Sequence, residues 1–316
     1  MAMKYFCFFL SCFLLAYQEC LGALRGPGEA KVIALVTGAT GRTGSLVFNE
    51  LRKHEDTVEV RGLVRDRQKA RERLDCGECE EADGIFEGDV TDPSSLQKAF
   101  VGVHRLVILT SAVPIPKEGK EGEWTYEEGG FPIDIDFNGV ENQLTALTRY
   151  GGQHGVGGRG SPSPSPMQVV LVSSMGTTEP NSKLDLLGNG HALFYKTQGE
   201  AAVMSTGFPF TIVKPCALSN APGRKMRLET GRHDGTKWSP PLISREDVGR
   251  VVSASVLSDV VAKEKRLWFD LCSVEGTPQE ESELESFLIS AEWGADSKRR
   301  RGERDTHPNT YTYTYS

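Results

Sequence analysis

Cysteine is sparse in this chain of 316 residues: there are seven, and Cys7, Cys12 and Cys20 fall in a distinctive N-terminal stretch. The other four, Cys76, Cys79, Cys216 and Cys272, are too few to read as a disulfide framework. Cys76 and Cys79 bracket a Cys-Gly-Glu-Cys run, yet no second pair and no His pair stands at ligand spacing, so the run reads as loop thiols, incidental or redox-active, and not as a zinc site. No metal is expected. Basic charge is not in surplus either: 36 Lys and Arg face 43 Asp and Glu, for a net charge of −7. Phosphate backbones need the opposite balance, so no nucleic-acid partner is expected. With 38% hydrophobic and 25% charged residues, collagen-like, wholly disordered and polytopic membrane chains are excluded. The one extended apolar run, Tyr5 to Tyr17, is shorter than the roughly 20 residues of a spanning helix.

Lys4 precedes that run and the small residues Cys20 and Gly22 follow it, which is the order of a secretory signal peptide cut after Gly22 or Ala23. Residues 1–23 are thus expected to be a targeting segment, with no stable membrane insertion once it is removed. From 31 to 293 the chain reads as one domain, interrupted at 151–166 by the Gly/Ser-Pro insert GGQHGVGGRGSPSPSP. The tail at 294–316 is polar, with a basic cluster from Lys298 to Arg304, and is expected to be disordered.

Lys31 to Val36 is short and continuously apolar, as a strand covered on both faces must be. It runs into Thr37-Gly-Ala-Thr-Gly-Arg-Thr-Gly44, and Ser45 to Lys53 then shows apolar residues at helical spacing. Further strands are expected at Val58–Val64, Gly84–Glu87, Arg105–Leu109, Met167–Val172, Thr211–Lys214 and Arg266–Leu271. Helices are expected at Arg67–Leu74, Pro93–Phe100, Asp136–Arg149, Ala192–Ser205 and Glu246–Leu257. This alternation predicts an α/β fold: a Rossmann-like, doubly wound parallel sheet in a single domain, with a small C-terminal portion on the substrate side.

Gly38, Gly41 and Gly44 lie at the first strand-to-helix turn. There, glycines permit the tight turn, the close backbone approach to a pyrophosphate and close helix packing, while the helix N-terminus offers amide donors to the anion. Thr40, Arg42 and Thr43 fill the loop between them. The second strand ends at Arg65, where NAD-binding chains place a carboxylate for the ribose. A guanidinium there, with Arg42 able to approach, suits a 2′-phosphate and favours NADP over NAD. An ordinary surface pair with Asp66 is the other reading of Arg65.

These pieces resemble the atypical short-chain dehydrogenase/reductases of the NAD(P)H-binding group, particularly plant and algal plastid members that open TGATGxTG. The resemblance extends from Lys31 to about Trp293 outside the insert. It includes Leu63 to Arg65, the G-D-V of Gly88 to Val90, the V-S-S-M-G of Val172 to Gly176, Tyr195-Lys196, the T-I-V-K-P of Thr211 to Pro215, and Ile243 to Val248. It implies that Asp89 and Val90 flank the adenine, that Thr110 and Ser111 line the ribose and nicotinamide side, that Lys196 holds the nicotinamide ribose hydroxyls, and that Pro215 and Cys216 pass beside the ring. It also implies work in a plastid, reached through the signal peptide, in preference to the ER lumen or the cell exterior.

One residue of the wider superfamily's pattern is missing. The Tyr that normally stands four before the Lys, on the same helix face, is replaced by Ala192. Tyr195 lies about 100° and His191 about 140° round the helix from Lys196, so neither takes over its place. A proton must then come from Ser173 or Ser174, a displaced Tyr or His, or water. Trp124, Tyr126 and Phe131, in the loop after the fourth strand, read either as a lid over the substrate or as plain loop aromatics. Two functions follow: an NADPH-dependent oxidoreductase that passes hydride to a small molecule, or a non-catalytic NAD(P)H-sensing binding or scaffold protein.

Overall fold

The computed structural model describes residues 31–74, 76–152, 167–179, 181–232 and 242–291. The expected leader at 1–23, the insert beyond Gly152 and the tail at 294–316 lie outside the described residues.

Among the described residues, twelve strands run in chain order as β1 (Val32–Thr37), β2 (Val58–Val64), β3 (Ile85–Glu87), β4 (Arg105–Ile108), β5 (Ile115–Pro116), β6 (Trp124–Thr125), β7 (Gln168–Val172), β8 (Phe210–Pro215), β9 (Ala217–Ser219), β10 (Arg227–Gly231), β11 (Leu242–Ser244) and β12 (Arg266–Val274). Eight of them form one sheet in the order β10-β12-β8-β7-β4-β1-β2-β3. All neighbours in it are parallel except β10, which runs antiparallel to β12 at the edge. Every residue of β4 and β8 is buried, Arg105, Thr211 and Lys214 included, as strands covered on both faces require.

Helices α1 (Gly44–Arg52), α2 (Arg67–Arg73), α3 (Gln97–Phe100), α4 (Gly139–Tyr150), α5 (Ala192–Ser205), α6 (Arg245–Leu257), α7 (Asp259–Glu264) and α8 (Leu284–Ser290) complete the layers. On one face, Val47, Phe48 and Leu51 of α1 pack in the core with Val248, Val251 and Val252 of α6 and Leu284 and Leu288 of α8. Phe100 of α3, Val140, Leu144 and Leu147 of α4 and Val203 of α5 belong to the core of the other face. Each fully buried side chain of this size is worth about 1.5–3 kcal/mol. The predicted doubly wound α/β sheet is therefore the observed fold.

Some boundaries differ for local reasons. Pro93 begins a 3-10 turn, Pro93–Ser95, with Asp92 accepting from the Ser94 amide, and regular helix starts only at Gln97. The helix expected from Asp136 is preceded by a π-helical turn, Ile133–Asn138, before α4 proper. The antiparallel β10, the β5–β6 hairpin, the β9–β11 ladder and helices α7 and α8 are not foreseen by the alternation pattern.

The cysteine reading is corrected. Cys76 and Cys79 form a disulfide, and Cys216 pairs with Cys272. The second pair arises because β8 and β12 are parallel neighbours: Lys214 stands opposite Asp270 and Pro215 opposite Leu271, so the next positions in each strand are two cysteines with Cα atoms 5.3 Å apart. A separation of 56 residues hides this pairing from the sequence. Among the described residues no cluster of His, Cys, Asp and Glu is arranged to hold a metal ion, and no helix is long and apolar enough to cross a membrane.

Among the described glycines, Gly44 is the most closely confined, since a Cβ there would press into the Gly38 carbonyl. We expect Gly44→Ala to cost about 1–3 kcal/mol, read as a lower denaturation midpoint in urea. Gly249→Ala serves as the control, because its backbone is helical and a Cβ there meets only ordinary contacts, the nearest at 3.4 Å.

Candidate functional site

The sheet order turns back on itself between β1 and β4, and the crevice at their carboxyl ends is where open α/β sheets bind ligands. Gly38 begins the loop there with φ +67°, and a Cβ on it would meet the Leu109 carbonyl carbon at 2.8 Å. The Gly41 amide donates to the Gly38 carbonyl at 2.8 Å and closes the turn. Helix α1 then starts without a side-chain cap at Thr43 and with no acidic residue in its first turn, so its positive end suits an anion. The Thr40 carbonyl accepts from Arg73 Nη1 at 3.4 Å.

Arg42 is exposed on this loop. Across from it Arg245, the first residue of α6, donates to Asn220 Oδ1 at 2.7 Å. Burial, and after it the positive charge of Arg42, lowers the pKa of the Arg245 guanidinium. Two like charges at a glycine loop are relieved by an anion, and a cofactor pyrophosphate fits that requirement. Arg245 lies in the Ile243–Val248 segment of the resemblance, but its approach to Arg42 spans about two hundred residues and no local pattern reveals it.

Arg65, at the end of β2, is exposed and its Nη1 lies 4.0 Å from Asp89 Oδ2. Asp66 is not its partner: that carboxylate caps α2, accepting from the amides of Gln68 at 2.8 Å and Lys69 at 3.2 Å. The Gly88-Asp89-Val90 turn is fixed from three sides. Asp89 Oδ1 accepts from the Thr91 amide, the Asp89 amide donates to Ser95 Oγ, and Asn142 of α4 donates to the buried Val90 carbonyl at 2.9 Å. Arg65, Asp89 and Val90 are thus brought to one end of the crevice.

Lys196 is the hub of the other end. Its Nζ donates to Asp136 Oδ1 at 2.6 Å and to Ser111 Oγ at 3.0 Å. The second Asp136 oxygen accepts from the Ala112 amide at 3.0 Å. Asp136 sits on the π turn, and α5 reaches it because Gly199 brings helix backbone against the Asp136 carbonyl: a Cβ would lie 2.5 Å from that oxygen. Thr110, Asp136, Val140, Leu171, Val172, Ser173 and Lys196 line a small recess at this point. Gln143 donates to Thr110 Oγ1 at 3.4 Å from α4.

Neither displaced candidate for the missing phenol lines that recess. The Tyr195 ring meets Phe194 edge-on at 5.2 Å. His191 adopts a left-handed φ of 51° and its Nδ1 lies 3.3 Å from Asp185 Oδ2, while the other Asp185 oxygen accepts from the Phe194 amide near the start of α5. Ser174 Oγ donates to the Met175 carbonyl at 2.8 Å, a turn-forming contact. Ser173 does line the recess, and its Oγ lies 2.5 Å from Glu200 Oε1. Pro215 is tied to the same strand ends, its carbonyl accepting from the Met175 amide at 3.1 Å, and Cys216 is bound to Cys272. Of the loop aromatics, Trp124 is exposed, whereas Tyr126 is 5% exposed, meets the Phe131 ring and lies against Gly188 and Gly190. Burial, with Asp136 and Asp185 nearby, raises the Tyr126 phenol pKa.

Asp136, Glu200 and Arg245 are the residues that sequence reasoning missed. The available clue was spacing: Glu200 stands four after Lys196 and shares its helix face. We expect Asp136→Ala to destabilise the fold by about 3–5 kcal/mol, because it leaves the ammonium of Lys196 largely buried without its counter-charge. Adding Lys196→Met should restore part of the loss, and urea melts of the two single variants and the double variant give the coupling.

Comparison with known proteins agrees with this geometry. A family described as NAD(P)H-binding matches residues 38–155 and 166–259. A sanguinarine reductase of Eschscholzia californica is 33% identical over 227 residues, which cover 65% of this chain and 76% of that protein. An uncharacterised chloroplastic protein of Arabidopsis thaliana is 34% identical over 224 residues, 69% of this chain, and the match spans only 63% of that longer protein. Among solved structures, an NAD-dependent epimerase/dehydratase-like protein of Bacillus halodurans aligns with a TM-score of 0.58 at 17% identity, covering 82% of this chain and 99% of that one. A short-chain dehydrogenase/reductase of Veillonella parvula, solved in complex with NADP, aligns with a TM-score of 0.53 at 15% identity over 78% of this chain and 96% of its own. Glycine loop, sheet order and family match together place this chain in the NAD(P)H-binding family of Rossmann-fold proteins.

Proposed function

We propose that this protein is an NADPH-dependent reductase of a small unsaturated or carbonyl-like molecule. The observation that carries the reading is the position of Lys196, held by Asp136 and Ser111 at the recess beside the switch point of the sheet. The loop of Gly38, Thr40, Gly41, Arg42, Thr43 and Gly44, with the amides of α1, would hold the pyrophosphate. Arg65 and Arg42 would meet the 2′-phosphate, and Asp89 and Val90 would flank the adenine. Thr110, Ser111 and Lys196 would orient the nicotinamide ribose, with Pro215 and the Cys216–Cys272 disulfide beside the ring. When bound, the cofactor supplies the hydride.

The chain's own groups do the rest. Asp136 fixes the Lys196 ammonium, so the ribose meets a donor whose position is already set and little ordering is left for the reaction itself. With Ala192 in place of the usual phenol, Ser173, directly after β7, is a hydroxyl of the recess at the strand end where a substrate would stand. The relative named as a reductase supports turnover over a sensor role. The order of charge, apolar run and small residues at 1–23, together with the chloroplastic relative, supports a plastid location.

Substrate-dependent oxidation of NADPH by the purified protein tests the reading. Tight NADPH binding with no turnover on a panel of carbonyl compounds and on sanguinarine, the compound in the name of the reductase relative, would instead favour a sensor. Cofactor choice has its own test. Loss of a charge-assisted contact worth about 1.5–3 kcal/mol makes Arg65→Ala weaken NADPH roughly 10- to 150-fold by fluorescence titration, with NADH nearly unchanged. Equal weakening of both cofactors would assign Arg65 to the fold. In kinetics, Lys196→Met should lower kcat more than it weakens NADPH, and Tyr195→Phe should leave both unchanged.

A further inference from the structure

Glu200 is a carboxylate that stands behind the recess, on Ser173. It lies on α5 one turn after Lys196, is 4% exposed, and uses both oxygens: Oε1 is 2.5 Å from Ser173 Oγ, and Oε2 accepts from Trp268 Nε1 at 2.8 Å. The groups facing it come from two strands and from the loop after β7, whose buried Thr177 hydroxyl stands beside the carboxylate. Lys214 of β8 and Asp270 of β12 lie 3.6 Å apart and are buried, with the Lys214 ammonium 4.6 Å from the Trp268 ring centre. On its own helix Lys196 is held by Asp136.

The hydrogen count at Ser173 decides what this pair can do. A serine hydroxyl has one proton. If Glu200 is ionised, that proton is committed to the carboxylate and Ser173 has nothing to donate into the recess. If Glu200 is protonated, its own O–H donates to Ser173 Oγ, its carbonyl oxygen still accepts from Trp268, and the serine proton is free to point at a ligand. Burial favours the second state. It pushes the Glu200 carboxyl above its ordinary value, against the hydrogen bonds from Ser173 and Trp268, the charge of Lys214 and the Thr177 hydroxyl, which pull the other way.

We propose that Glu200 is a positioning residue and proton store that acts through Ser173, supplying the proton that the missing tyrosine supplies in related enzymes. This rests on the reductase reading above. In the step, the hydride pair forms a C–H bond at the substrate carbonyl carbon while the C=O π pair moves to oxygen. That oxygen takes the Ser173 hydroxyl proton, Ser173 Oγ takes the Glu200 carboxyl proton, and the resulting carboxylate is reprotonated from solvent. The carbonyl is reduced to an alcohol, NADPH is oxidised to NADP, and one proton is consumed.

The test uses the whole purified protein with NADPH and 9,10-phenanthrenequinone as the carbonyl probe, comparing wild type, Glu200→Gln and Ser173→Ala. Glutamine keeps a donor to Ser173 and an acceptor for Trp268 but has no proton to pass on. We expect Glu200→Gln to lower kcat at least tenfold with KM within about twofold. Wild-type kcat should fall as pH rises through the raised Glu200 value, and the variant should lack that limb. Infrared spectra should show a protonated-carboxyl band in wild type that Glu200→Gln removes. Stability should follow the same sign: a raised carboxyl pKa stabilises the fold at low pH, and this is lost as pH climbs from the ordinary 4.5 through the raised value, a loss absent from Glu200→Gln. A role confined to packing would change stability without touching the pH limb. Wild-type turnover that Glu200→Gln leaves intact, or the absence of the carboxyl band, overturns the relay and spares the reductase. A wild type that binds NADPH and reduces no probe overturns the reductase reading itself.

Discussion

Burial of the central strands on both faces is the constraint from which the rest follows. With β4 and β8 wholly enclosed and helices above and below, the strands expose polar groups to a ligand only at their ends. The sequence changes character there. Val36 gives way to Thr37 and the glycine loop, Ile108 to Thr110 and Ser111, and Val172 to Ser173 and Ser174. Apolar strand and polar terminus are one design, because the core fixes the height and spacing at which the functional side chains emerge.

The second determinant is how α5 meets the π turn. Gly199 allows backbone to touch backbone, which sets Lys196 beside Asp136 and Glu200 behind Ser173 from a single helix face. A π turn widens the helix locally and recurs at functional sites. Here it carries the carboxylate that both locks the lysine and accepts from the Ala112 amide of the loop after β4. One buried carboxylate thereby joins three elements that are separate in sequence. Replacing the usual Tyr by Ala192 removes a phenol from that face, while the lysine keeps its geometry through Asp136 and Ser111.

The cysteines show how register creates chemistry. Cys216 continues β8 and Cys272 lies on β12, and parallel pairing puts them side by side at the edge of the crevice. Tyr126 makes a similar point about loops. A segment that reads equally well as a lid is anchored, because its ring fills the space beside Gly188 and Gly190 and leaves Trp124 as the exposed aromatic.

The sequence by itself determined the layer architecture, since apolar runs of strand length alternating with helical periodicity admit few other folds. It also determined the glycine loop, whose spacing is a local requirement of backbone geometry, and it located Arg65, Asp89, Thr110, Ser111 and Ser173 within three residues of a strand end and Lys196 on the helix after β7. The tertiary structure alone decided the pairings across long separations: Lys196 with Asp136, Ser173 with Glu200, Arg42 with Arg245, and Cys216 with Cys272. Each depends on which strands are neighbours and on the depth at which a helix packs. Those quantities are set by the whole core, and no local pattern of residue types encodes them.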